Sequence, residues 1–294
     1  MKRDMKQYLI GAVLAATLLA GCDVKDPIYN TPHPEKGAII LSADWTARGE
    51  GVNIPAAYTA ELNGTTTVLS SNPAPLSGLF SPGVAKLCAW NTPEGFTIAD
   101  GKATLAPAAG ANGLFTSQAG WLFTGSADIT VIADDTLRTT LPMHQRMRLL
   151  RFELTVTGGD YNRITGIEAT LNGIATTVDL HTGTLTDATG TAVVALNRTD
   201  DKITGEARLP GIAGTSQEFA VTLSFEGNEP TPQTTRSDIS AQLSTFNDGQ
   251  LTAIVLTGNL RSPVNMELGS TVIDWMSGNG AGGEDGSAGM ETNK

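Results

Sequence analysis

The most reactive side chains in this 294-residue chain are two cysteines and three histidines. A thiolate is a nucleophile and a metal ligand, and an imidazole is a general base and a metal ligand. The histidines (His33, His144 and His181) lie in three different segments, and none stands at a metal-ligand spacing from another histidine or a cysteine. The acidic pairs Asp134-Asp135 and Glu284-Asp285 are interpreted as solvated loop charges rather than calcium ligands. We therefore predict no catalytic residue, no metal site, no cofactor and no enzymatic activity.

Cys22 directly follows a short apolar segment near the start of the chain. Three basic residues precede an apolar run over residues 8–20, which is shorter than the roughly 20 residues that span a bilayer. This order predicts a secretory signal peptide over residues 1–21. The end of the segment, Leu19-Ala20-Gly21-Cys22, resembles the bacterial lipobox. We predict cleavage between Gly21 and Cys22 and lipidation of the Cys22 thiol, with palmitate-type acyl chains; the alternative is an ordinary signal peptide with an incidental cysteine.

The mature chain is strongly acidic. Removal of residues 1–21 takes away three positive charges and one negative charge, so the formal net charge falls from −11 to −13. Such a chain lacks the surplus of Lys and Arg that neutralises phosphates, which excludes non-specific binding to nucleic acid. If Cys22 is acylated, Cys88 has no partner for a disulfide. Its strand-like surroundings over residues 84–90 predict a buried, inert thiol, and the alternative is a reactive one.

The composition predicts an all-β protein. Gly (33) and Pro (14) are frequent, strong helix formers are sparse, and apolar and polar residues alternate in many short segments. The predicted organisation is a signal peptide (1–21), a flexible tether (22–36), an N-terminal β-sandwich (37–142), a C-terminal β-sandwich (143–276) and a disordered tail (277–294).

The alternation defines individual strands. Ile39, Leu41, Ala43 and Trp45 share one face of the first strand. Further strands are predicted at residues 58–62, 65–69, 84–90, 95–99, 121–124, 128–132, 148–156, 167–171, 174–180 and 219–225. Asn63-Gly64 and Asn172-Gly173 predict tight hairpins.

One short helix is predicted in the second domain. Ile239, Leu243 and Phe246 recur at helical spacing, with Ser237 or Asp238 as the N-cap.

The two halves share the pattern A-x-L-N-G, at Ala60 and again at Ala169, with an offset of 109 residues. This offset is the size of a domain, so we interpret the pattern as a duplicated sandwich with a boundary near Leu141-Pro142. The alternative is convergence, since any tight hairpin favours Asn-Gly.

Several segments resemble the Bacteroidales-type fimbrillin lipoproteins, and within these the FimB-type branch of fimbrial anchor or accessory subunits. The segments are the lipobox, residues 30–37, Asp44-Trp45, residues 48–58, residues 148–156 with Gly158-Gly159-Asp160 and Arg163-Ile164, and residues 167–175.

The resemblance implies two transthyretin-like Greek-key β-sandwiches in a subunit of a surface fimbria, or pilus. Such subunits assemble with homologous subunits by β-strand exchange for adhesion, and the lipid holds the chain at the outer membrane. In polymerising members an arginine-directed protease removes the first strand, here at Arg48; an anchor keeps it, so we predict that Arg48 stays uncut. The alternatives are a non-polymerising surface lipoprotein that binds a glycan or a host protein, and an accessory domain of a hydrolase.

Two short motifs resemble modification and export signals of the same bacteria. Charged residues directly after the lipid site, Asp23 and Lys25-Asp26, resemble a signal for surface display. Asp135-Thr136-Leu137 resembles an O-glycosylation site, with Thr136 as the acceptor. We predict surface exposure from the first motif and a sugar on Thr136 from the second.

Overall fold

The structure, a computed structural model, describes residues 35–111, 113–157, 161–186, 188–261 and 271–279. The predicted signal peptide, the lipidation site and nearly all of the tether lie outside these residues, as does most of the predicted tail. None of the described segments forms a helix that is long and apolar enough to cross a membrane.

The regular structure of the described residues is almost entirely β-strand, as predicted. Its first half contains β1 (Ala38–Asp44), β2 (Tyr58–Leu62), β3 (Thr65–Leu69), β4 (Ala74–Pro75), β5 (Gly83–Trp90), β6 (Phe96–Ala99), β7 (Lys102–Leu105), β8 (Phe115–Thr116), β9 (Phe123–Val131), β10 (Thr136–Pro142) and β11 (His144–Gln145). Its second half contains β12 (Arg148–Val156), β13 (Ile164–Ala175), β14 (Thr177–Asp179), β15 (Thr189–Val194), β16 (Leu196–Thr199), β17 (Lys202–Leu209), β18 (Glu218–Phe225), β19 (Gln233–Asp238), β20 (Ile254–Arg261) and β21 (Thr271–Asn279). A single-turn 3-10 helix lies at Tyr161–Arg163, and Glu226–Asn228 forms a turn in which Gly227 and Asn228 have positive φ (70° and 56°).

The first sandwich packs a three-stranded sheet, in the order β10-β1-β4, against a five-stranded sheet, in the order β11-β9-β5-β2-β3. The alternating residues of β1, β2 and β9 turn their apolar side chains into one shared core. Trp45 lies in this core and makes edge-on contacts with Tyr58 and Phe123, at centroid distances of 5.6 Å and 5.4 Å.

The second sandwich packs the sheet β16-β17-β12-β20-β21 against the sheet β19-β18-β13-β15-β8. β12 is central, antiparallel to β17 and parallel to β20. Its inward residues Leu150, Phe152 and Leu154 are completely buried, as the alternation predicts. The rings of Phe152 and Phe219 are stacked between the two sheets, with centroids 4.3 Å apart.

Residues 96–116 connect the two halves. β6 and β7 form a small sheet with β14 of the second half, and β8 extends the sheet of β15. Cys88 and Trp90, at the end of β5, also pack into the second core. The boundary near residue 142 stays a prediction, and the pairing of β6–β8 shows that the two halves share sheets across it.

The two A-x-L-N-G segments fold differently. Asn63 and Gly64 both have positive φ (51° and 77°) and connect β2 to β3 as the predicted hairpin. The hairpin predicted at Asn172-Gly173 is wrong, because β13 continues through it and a bulge between Asn172 and Ile174 interrupts its pairing with β15. Only Gly173 of this second pair has positive φ (68°), whereas a two-residue type I′ turn needs positive φ at both positions.

The predicted helix over Ile239, Leu243 and Phe246 is a run of consecutive turns. One bond, from Leu243 N to Ile239 O, has α-helical spacing, and the next bonds join residues three apart. The carbonyls of Thr245 and Phe246 accept hydrogen bonds from the Arg148 guanidinium, which holds the segment in its turned form. The three apolar side chains are buried as predicted. The spacing therefore identified the buried face correctly, but the helical backbone that it predicted is wrong.

Candidate functional site: the first strand and the Arg48 loop

β1 is held by its side chains. Ile39, Leu41, Ala43 and Trp45 are all buried, and the intervening residues are half-buried, which confirms the predicted inward face. Each large apolar side chain contributes about 1.5–3 kcal/mol when it is buried. Loss of β1 would therefore open an apolar groove in the first sandwich.

β1 is also held along both edges of its backbone. It is parallel to β10 over seven residue pairs, from Ala38 opposite Thr136 to Asp44 opposite Pro142. On the other edge it pairs with β4 over only two residue pairs. There the Asn72 side chain replaces a strand: its Oδ1 accepts from Ala43 N at 2.8 Å, and its Nδ2 donates to Ala43 O at 2.7 Å. A groove left by β1 would thus be bounded by one full strand and one short one.

The residues directly before β1 are closely packed against the first sandwich. Gly37 exchanges two hydrogen bonds with Phe80, and a Cβ at Gly37 would overlap the carbonyl oxygen of Ile132. Asp134 N donates to Lys36 O, which fixes the last residues before the strand. The end of the tether is therefore locked to the first sandwich.

The Arg48 loop follows β1 and presents an exposed guanidinium. Arg48 Nη1 donates to Trp45 O at 2.8 Å, and its Nε donates to Val52 O at 3.1 Å. Both bonds lie within one tight loop, so the side chain is directed back onto its own backbone. An arginine-specific protease must bind the loop in an extended form with the Arg48 side chain in its specificity pocket. Both hydrogen bonds must therefore break before cleavage after Arg48.

The residue after the potential cleavage point is fixed by a distant side chain. Gly49 N donates to Oε1 of Gln145 at 2.9 Å, and Gln145 Nε2 donates to Met147 O at 2.7 Å. Gln145 is buried, so loss of these bonds would leave its amide group unsatisfied, at a cost of about 1–3 kcal/mol. Sequence reasoning missed both Gln145 and Asn72, since neither belongs to a recognisable motif.

The remaining predicted residues do not form a joint site. Thr136 is exposed at the start of β10, and its N–H donates to Asp135 Oδ1 at 2.6 Å. Its glycosylation stays a prediction. His144 is exposed, whereas His181 Nε2 lies 3.3 Å from Glu61 Oε2 and connects the two halves. Among the described residues no cluster of His, Cys, Asp and Glu side chains could hold a metal ion.

Cys88 is a buried free thiol, and burial raises the pKa of its side chain. We expect Cys88 in the Cys22→Ser protein to react with a maleimide more than about 100-fold more slowly than in the unfolded chain, because modification requires a local opening that costs a few kcal/mol. Mass spectrometry of timed samples with and without urea measures both rates. Equal rates would show that Cys88 is accessible in the native protein.

Comparison with known protein families identifies the family of this chain. The family model of the fimbrillin-A associated anchor proteins Mfa1 and Mfa2 matches residues 58–275. This chain belongs to that family. The match begins with β2, so it covers most of both sandwiches but neither β1 nor the Arg48 loop. The predicted resemblance to a fimbrillin-type anchor family is confirmed, and membership indicates a structural, fimbria-associated role.

Solved structures show the same fold. The fimbrial anchor protein Mfa2 from Porphyromonas gingivalis superimposes with a TM-score of 0.55 at 10% identity, over 83% of this chain and 98% of that one. A candidate adhesin from Bacteroides ovatus gives a TM-score of 0.57 at 13% identity, over 77% of this chain and 89% of that one. Candidate polysaccharide binding proteins from Bacteroides thetaiotaomicron give a TM-score of 0.52 at 10% identity, over 81% of this chain and 95% of that one. The curated proteins contain no match.

Proposed function

We propose that this protein is the lipid-anchored anchor or accessory subunit of a surface fimbria, and that it keeps its first strand in the assembled fibre. The family match over residues 58–275 carries the proposal. Lipid on Cys22 would hold the mature chain at the outer membrane, and the globular part would be displayed at the cell surface.

Retention of β1 is supported by the way in which the strand and its loop are held. The three buried side chains of β1, the buried Trp45 directly after it and the seven residue pairs with β10 resist its release. The hydrogen bonds of Arg48 and Gly49 restrain the one arginine whose cleavage would remove the strand and the lipid together. Both features favour an anchor over a subunit that is cut before it polymerises.

Contact with homologous subunits is proposed to occur by β-strand exchange. A neighbouring chain adds an extended segment to a sheet of this protein, or receives one from it. Main-chain hydrogen bonds then give strength, and alternate side-chain pockets give register. Because β1 stays in place, the anchor would not offer its own β1 groove to a neighbour.

The test is the N-terminus of the protein that occurs in fimbriae. We expect fimbriae sheared from cells to contain this chain in detergent-stable, high-mass material, and mass spectrometry of its first peptide to find lipidated Cys22. A chain that begins at Gly49 would make it a shaft or tip subunit and overturn the proposed anchor role. Complete absence from the high-mass material would favour a non-polymerising surface lipoprotein that binds a glycan or host protein.

A further inference from the structure

Two arginines, Arg146 and Arg148, flank a small cavity beside the connection from β11 to β12. The cavity has a volume of about 120 Å³, and both arginines line it. The remaining wall is largely apolar and includes Val178, Leu185 and Phe246. No carboxylate belongs to the lining among the described residues. This is an unusual environment in a chain of net charge −11.

Arg148 is 4% exposed, yet one of its nitrogens is unused. Its Nε donates to Thr252 O at 2.9 Å, and Nη1 donates to Thr245 O at 2.6 Å. The guanidinium also lies 5.6 Å from the centroid of the Phe246 ring. Within the described part of the chain, Nη2 is buried and has no hydrogen-bond partner. Buried charges are normally paired, and a buried donor without a partner is costly.

Arg146 is half-buried and also lacks an acidic partner in hydrogen-bond contact among the described residues. Its Nε donates to Thr124 Oγ1 at 2.7 Å, which leaves its terminal nitrogens as donors without a described acceptor. The guanidinium packs against the backbone of Gly183, where a Cβ would overlap it. Burial lowers the pKa of both arginines, and only Asp248 partly offsets this for Arg148. Among the described residues, the terminal nitrogens of Arg146 and Nη2 of Arg148 thus remain without an acceptor.

We propose that this cavity binds a single oxyanion group, a carboxylate or a phosphate, at the free donors of Arg146 and beside the buried charge of Arg148. Guanidinium donors match the oxygens of both groups, and the volume suits one such group rather than a whole sugar or side-chain cluster. The apolar wall lowers the local dielectric constant and so strengthens the attraction. The site is independent of the lipid and of β1.

The Arg146→Met variant tests the site, because it removes one charge while it keeps a side chain of similar length. Arg236→Met is the matched control, since Arg236 is exposed on the edge strand β19 and its Nη1 is bonded to Glu218 of the neighbouring strand β18. The full chain, purified in detergent, is heated in phosphate, acetate or chloride at equal ionic strength and pH. We expect phosphate or acetate to raise the Tm of the wild type and of Arg236→Met by about 2–4 °C relative to chloride, and to have no such effect on Arg146→Met.

The outcomes separate specific binding from a general salt effect. A larger shift in acetate identifies a carboxylate site, and a larger shift in phosphate identifies a phosphate site. The same shift in Arg146→Met as in the wild type would mean that the salts act by exclusion from the surface, and would overturn the proposal. No shift in the wild type would overturn it as well. If Arg146→Met does not fold, Arg146→Gln replaces it, since this variant also removes the charge but keeps a polar side chain, and it should likewise abolish the shift.

Discussion

Replacement of Cys22 by Ala is expected to abolish the lipidated mature form and to leave soluble protein or unprocessed precursor that keeps residues 1–21. The thiol is the attachment point of the predicted lipid, and each buried CH₂ of an acyl chain contributes about 0.8 kcal/mol to membrane binding. Loss of a diacylglycerol group therefore removes the main source of membrane binding that the sequence predicts for the mature chain. Fractionation of cells followed by immunoblotting measures the distribution, and mass spectrometry of the N-terminal peptide detects the lipid.

Cys88→Ala is the matched control, because it removes the only other thiol of the chain. We expect this variant to remain in the membrane fraction, since Cys88 is buried in the second core and cannot take up a lipid without unfolding. An unmodified mature N-terminus in the wild type, or a Cys22→Ala protein that lacks residues 1–21 and still binds the membrane as the wild type does, would contradict lipidation at this residue. The anchor role would then need another attachment to the membrane.

Leu41→Asp is expected to destabilise the first sandwich by about 4 kcal/mol or more. Leu41 is completely buried in the middle of β1, so the variant loses the transfer energy of the side chain and places a carboxylate among apolar groups. Release of β1 would also loosen the Arg48 loop, because one acceptor of the Arg48 guanidinium is Trp45 O. Urea unfolding measures the loss of stability, and cleavage by an arginine-specific protease measures the exposure of Arg48.

Ser42→Asp is the matched control for Leu41→Asp, since it introduces the same charge at the neighbouring position of β1. Ser42 lies on the opposite face of β1 and is only half-buried, so we expect a change within about 1 kcal/mol and no faster cleavage after Arg48. Equal destabilisation by the two variants would show that β1 does not distinguish an inner from an outer face. Rapid cleavage of the wild type would show that the loop hydrogen bonds do not restrain Arg48.

Much of the fold could be predicted from local pattern. The alternation in β1 and β12 identified both the strands and their buried faces, because side chains on successive residues of a strand point to opposite sides. Asn63-Gly64 identified a hairpin because both residues adopt positive φ there. The same dipeptide at residues 172–173 failed as a signal, since β13 is paired on both edges and absorbs the extra residue as a bulge.

The sequence by itself determined the all-β class, the inward faces, the lipidation motif and the family resemblance, because each depends on neighbouring residues. Only the tertiary structure decided what holds the Arg48 loop and β1. Gly49 and Gln145 are 96 positions apart, and Ala43 and Asn72 are 29 apart. The joint cavity of Arg146 and Arg148 likewise depends on a turned segment that the helical spacing did not reveal. Such contacts are set by how the sheets pack, and local alternation carries no information about the partner of a single polar side chain.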